Sequence, residues 1–155
     1  MTAIRTQEAL AAEVVRRVSL CTVAQGAETD LGRKVYEGRR KVSDDMIPCT
    51  CVLDGDDAST VSGPMSTTYD TEQRFLLFAY VQCDPQNPNT AARQAIRDLK
   101  RAVFTTNGRA DPTWGRSVRF VSYKGKDIGP RADGASFVLA VVEFTVQFVE
   151  DVASP

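Results

Sequence analysis

A chain of 155 residues, 43% hydrophobic and 25% charged, has the length of one domain and enough apolar side chains to fold without a metal or disulfides. Its formal net charge of −1 excludes a global pull toward nucleic acid or an anionic membrane. The sequence contains no histidine, which excludes Ser-His and Cys-His nucleophile arrangements and the HExxH type of helical metal motif.

Taken in chain order, the first element is a helix over Ile4–Cys21. Ile4, Gln7, Leu10, Ala11, Val14, Val18 and Cys21 fall near i, i+3, i+4 and i+7 spacing. A polar loop holding Gly26 follows, then a short strand around Arg33–Val42, whose RRK run at Arg39–Lys41 suits an edge. Ile47–Leu53 reads as a strand, with Pro48 confined to its start or to an edge. Asp54–Asp70, rich in Asp, Ser, Thr and Gly, shows no periodicity and reads as a long functional loop.

Arg74–Cys83 (RFLLFAYVQC) is the clearest strand, apolar on both faces and hence central. After a Pro/Asn break, Asn89 or Thr90 is the expected cap of a second helix, Asn89–Thr105, whose stripe is Ala92, Ile96, Leu99 and Val103. Residues 107–116 read as a loop. Val118–Lys124 reads as a strand with Val118, Phe120 and Ser122 on one side, and Gly125–Ala135 as a Gly/Pro-rich connection. The last strand, Ser136–Val149, is apolar at every even position from Val138 to Phe148. Strands joined mostly by loops, with only two helices, indicate an α+β fold: one domain over residues 1–155, a mixed or mostly antiparallel sheet, and both helices on one face.

No constellation of catalytic, cofactor-binding or metal-binding residues emerges. Asp44-Asp45 and Asp54-Gly55-Asp56-Asp57 are the acidic clusters, and the second has the residues of a turn rather than the order of a calcium loop. GKDIGPRADG lacks both the spacing and the context of a phosphate loop. The cysteines Cys21, Cys49, Cys51 and Cys83 lack CxxC spacing and follow no signal-peptide-like segment; they are expected to be free, at least partly buried thiols of a protein kept in cytoplasm. No stretch approaches the roughly 20 apolar residues of a membrane helix.

The charges are distributed in blocks. Residues 44–85 hold one Lys/Arg against eight Asp/Glu, and residues 86–135 hold ten against four. Either folding interleaves the blocks on one mixed surface, or they form two patches that meet copies of the chain or different partners. On the second reading Asp54, Asp56 and Asp57 supply the acidic side and Arg97, Arg101, Arg109 and Arg116 the basic one. For the basic residues of the second helix, Arg93, Arg97, Lys100 and Arg101, a solvated face or one meeting an acidic partner outweighs phosphate contact. Trp114, the only tryptophan, is either a local plug or an interface anchor.

The order of features — an N-terminal helix, Lys34-Val35-Tyr36, Asp45 to Val52 as D-x-x-P-C-x-C-V, an acidic segment, a strongly apolar strand, an A-x-x-x-I-x-x-L helix and a long final strand — resembles the tail terminator (tail completion) proteins of long-tailed bacteriophages. The resemblance covers most of the chain and rests on element order. It implies a structural, non-enzymatic virion protein without cofactor, located at the head-proximal end of the tail after assembly in the host cytoplasm. Its implied partners are itself, commonly as a hexameric ring, the tail-tube protein and the head–tail connector, with no membrane and no sequence-specific nucleic acid. A head-completion or neck protein and a tail-tube subunit are the related alternatives. A small-molecule-binding or enzymatic α+β domain, or a nucleic-acid accessory protein using the second helix, comes from a different class.

Overall fold

In the computed structural model, which describes residues 2–39, 41–129 and 134–155, the first helix α1 spans Gln7–Val18. It starts later than Ile4 because Thr6 stands in an extended conformation and its hydroxyl accepts the Ala9 N–H at 3.1 Å. Glu8 in the first turn and Arg16 and Arg17 in the last complement the helix dipole. The N–H groups of Leu20 and Cys21 bond back to Arg17 and Val18 as the helix tightens and stops. Gly32 then packs against that end: a Cβ there would lie 2.6 Å from the carbonyl oxygens of Val18 and Ser19.

Five strands, β1 (Val35–Glu37), β2 (Cys49–Val61), β3 (Thr68–Gln82), β6 (Phe120–Ile128) and β7 (Phe137–Asp151), form one sheet in the order β1-β2-β3-β7-β6. β1 lies parallel to β2 at one edge, and all other pairs are antiparallel. β3 and β7 pair along their whole lengths and form the centre. The edge strand expected over 33–42 is thus reduced to three residues, and Arg40 lies outside the described residues.

The expected long loop Asp54–Asp70 is a paired ribbon. β2 runs on to Val61 and β3 begins at Thr68, leaving only residues 62–67 as a turn. The ladder shifts register at Gly55-Asp56 and resumes from Asp57↔Gln73 to Val61↔Tyr69. Most of this ribbon is exposed, so no apolar alternation marks it. Main-chain bonds, β-branched residues and cross-strand pairs such as Ser59 Oγ to Thr71 Oγ1 (2.9 Å) hold it instead.

α2 spans Pro88–Phe104. Pro88 occupies the first turn, where its missing N–H costs nothing, and the N-cap position belongs to Asn87 rather than Asn89 or Thr90. Two short strands follow, β4 (Thr105–Thr106) and β5 (Arg109–Ala110), paired as a tight hairpin. β6 (Phe120–Ile128) continues past Gly125, whose φ of +146° accommodates a bulge opposite β7. The connection expected from Gly125 is therefore strand as far as Ile128, and residues 130–133 lie outside the described ones. The expected side of this strand is corrected too: Phe120 is exposed, Val121 is buried, and Val118 precedes the strand.

Both helices pack on one sheet face. Leu10, Val14 and Val18 of α1 and Ala92, Ala95, Ile96, Leu99 and Val103 of α2 meet Phe75, Leu77, Ala79 and the even positions of β7 in one buried cluster. The opposite face carries a smaller cluster, Ile47, Cys49, Cys51 and Tyr80, with Phe78, Phe137 and Leu139 half-buried beside it. The segment around Val42, Met46 and Ile47 covers one end of that face.

Candidate functional site: exposed edges and charged surfaces

Buried Arg17 and Asp98 tie elements of the domain together. Arg17, 2% exposed, bonds to Glu13 at 3.0 Å, to the Thr105 carbonyl at 3.2 Å and to Asp111 at 3.4 Å, and its guanidinium lies 4.9 Å from the Trp114 ring centre. Burial works to raise Glu13 and Asp111, but hydrogen bonds and charge from their partners outweigh it and hold both carboxyls below their ordinary range. Asp98, also buried, accepts the Thr29 N–H at 2.8 Å and the Thr29 hydroxyl at 2.6 Å, clamping the 26–30 segment onto α2.

Trp114 is wholly buried, and its indole N–H donates to the Val103 carbonyl. It is the local plug of its two readings and offers no side-chain surface to a neighbour, so it leaves the set of interface candidates. The loop around it is built for that purpose. The Asp111 carboxylate accepts the Gly115 N–H at 2.9 Å, and the Ser117 hydroxyl donates to the Trp114 carbonyl at 2.7 Å.

Cys21, Cys49 and Cys51 are buried and Cys83 is half-buried, as the sequence suggested. Burial, reinforced by Asp98, pushes the Cys21 thiol up to about 12. Burial and the neighbouring Cys51 push Cys49 up to about 11. Such thiols are poor nucleophiles and poor metal ligands at neutral pH.

The basic row of α2 is largely engaged within the chain. Arg97 pairs with Glu28, the Arg101 guanidinium donates to the Gly26 carbonyl at 2.8 Å, and Lys100 lies 4.3 Å from the Tyr123 ring centre. A cleft of about 400 Å³ between the ends of α1 and α2 includes Arg16, Arg17, Asp98 and Arg101. Its charged groups are already held by Glu13, Asp111, Thr29 and Gly26. Arg109 and Arg116 are exposed on the 105–116 segment, away from that row.

Asp54, Asp56 and Asp57 are exposed on β2 at its bulge. The structure does not gather them with the arginines. Beside them, on the adjacent strand β3, lies Arg74, which forms an ion pair with Glu143 of β7 at 2.5 Å. Two features were not legible in the sequence. The outer side of β2 beyond Val52 has no neighbouring strand, since β1 covers only Thr50–Val52. β6 forms the opposite edge, carrying exposed Lys124 and Lys126, and pairs only with β7. Both statements concern the described residues.

Among the described residues no group of three or more His, Cys, Asp or Glu is arranged to hold a metal ion, and no helix is long and apolar enough to cross a membrane.

No family model and no curated protein sequence matches the chain. In fold it is similar to a chain in a solved structure described as the virion of a native gene transfer agent (GTA) particle. The TM-score is 0.54 at 14% sequence identity, over 89% of this chain and 92% of that one. At that identity the likeness is one of fold, and it extends over nearly the whole of both chains.

Proposed function

We propose that this chain is a structural virion protein of the tail-terminator kind, a non-enzymatic subunit that assembles as a ring, caps the tail tube, ends its polymerisation and presents a surface to the head connector. The observation that carries the reading is the nearly end-to-end fold likeness to a virion-particle chain. The interior supports it: buried Arg17 and Asp98 and half-buried Asp111 tie elements together, and the cleft that Arg17 and Asp98 line has its charged groups engaged within the chain. The exposed edges and opposite charge blocks suit association between copies, because a heterologous ring needs two different complementary patches on each subunit. On this reading the partners are further copies of the chain, commonly six, the tube protein and the connector, with the ring at the head-proximal end of the tail.

Adding the purified chain to polymerising tail-tube protein tests the assignment. Tubes that stop growing and carry a ring at one end in negative stain support a terminator. Co-polymerisation along the tube identifies a tube subunit instead, and unaltered growth overturns the proposal.

A further inference from the structure

The two open sheet edges carry opposite charge. Among the described residues, the stretch of β2 without an outer neighbour runs from Leu53 to Val61 and bears exposed Asp54, Asp56 and Asp57. On β6 the outer side is occupied at its ends, where Val121 donates to the Pro112 carbonyl at 2.8 Å and the Ile128 N–H is taken by the Asp127 carboxylate. Between them lies Ser122–Asp127, net basic, with Lys124, Lys126 and Asp127 exposed and the Asp127 carboxylate engaged by the Ile128 N–H. Lys124 reaches Glu72 only at 4.0 Å. An edge strand presents a row of backbone donors and acceptors able to bind another strand, and natural proteins place charges there to control what pairs.

Those charges discriminate. Pairing of β2 with β2, or of β6 with β6, sets like charges against each other, whereas β2 against β6 sets Asp against Lys. An isologous dimer is therefore disfavoured and a head-to-tail contact favoured, which closes into a ring or runs on as a filament. We infer that the acidic edge of β2 in one copy pairs with the basic edge of β6 in the next, extending the sheet from subunit to subunit. This deepens the ring reading and rests on it, and it moves the basic side of the contact from Arg97 and Arg101, which are engaged within the chain, to Lys124 and Lys126.

The test uses two charge-reversed variants of the full chain. Asp54→Lys with Asp57→Lys makes both edges basic, and Lys124→Glu with Lys126→Glu makes both acidic. All four positions are exposed, and circular dichroism checks that each variant folds. The inference expects each variant alone to lose the oligomer mass of the native chain in light scattering, and an equimolar mixture to regain it, because alternating copies restore every contact. If the native chain forms a ring and the variants form it equally well alone, or if two folded variants fail to complement, the edge pairing is overturned while the ring reading stands. A native chain that stays monomeric under all conditions overturns both. Carbodiimide coupling of mixed light and heavy-isotope chains adds a direct readout: linkage between copies is expected from Asp54, Asp56 or Asp57 to Lys124 or Lys126, and linkages between copies confined to other residues contradict the inference.

Discussion

The indole N–H of Trp114 donates to the carbonyl of Val103 at 2.7 Å, closing the last turn of α2 with a side chain from the loop that follows it. Carbonyls in that turn have no partner inside the helix, so the tryptophan satisfies one of them while filling the space beneath Arg17. Its backbone adopts φ +48°, uncommon for a large residue, and the surrounding bonds of Asp111, Thr113 and Ser117 hold it there. Trp114→Ala should cost about 3–5 kcal/mol, as for other fully buried aromatics. Trp114→Phe should cost about 1–3 kcal/mol, chiefly by leaving the Val103 carbonyl unpaired. Urea unfolding of the two variants checks both values.

The pH dependence of stability has two limbs. Cys21 and Cys49 are raised from an ordinary 9.0 to about 12 and about 11. Unfolded thiols ionise first, so the stability these groups contribute is complete below pH 9 and is lost as pH climbs toward the folded values. For Cys21 the slope is about 1.4 kcal/mol per pH unit. On the acid side Glu13 and Asp111 are held below their ordinary 4.5 and 3.8. Their contribution is present above those values and disappears as pH falls through the lowered ones. Urea midpoints should therefore be flat between about pH 5 and 9 and decline on either side, and Cys21→Ala should flatten the alkaline limb.

Reversal of Arg97 and Arg101 to Glu tests where their charge acts. Arg97 meets Glu28, and Arg101 meets the Gly26 carbonyl, so the double variant should lose stability by about 0.4–2 kcal/mol, the sum expected of two exposed contacts. The oligomer mass should stay unchanged. A lost oligomer at full stability would show that the helix face meets a neighbour directly.

The outer part of the β2–β3 ribbon, from Asp57↔Gln73 to Val61↔Tyr69, is held mainly by exposed main-chain bonds. Amide exchange there should run orders of magnitude faster than in Phe75–Val81, whose side chains on the helix face are buried. Mild peroxide should oxidise the fully exposed Met65 well before the half-buried Met46. Slow exchange at Ser59, whose N–H faces away from β3, in a concentrated sample would indicate that the β2 edge is covered by another copy.

Burial governed what could be read from the sequence. The even face of β7, the two-sided pattern of β3 and the stripe of α2 are all written in apolar periodicity, and each lies where that pattern required. The ribbon at 54–70 escaped because its strands bury little. Asp-Gly chemistry that marks a turn elsewhere here marks a bulge at Gly55-Asp56. The hidden side of Trp114 and the engagement of Arg97 and Arg101 depend on contacts over long sequence separations, such as Arg97 with Glu28, which no local pattern encodes. The open edges of β2 and β6 follow from sheet order, and strand order is set by the whole fold rather than by either strand.

The most direct measurement is the mass of the purified chain in solution across concentration and salt. The account predicts one closed species, a small whole-number multiple of 17.0 kDa, commonly sixfold, which gives way to the 17.0 kDa subunit as rising salt screens the edge charges. A chain that remains at 17.0 kDa throughout at low salt and high concentration would contradict it.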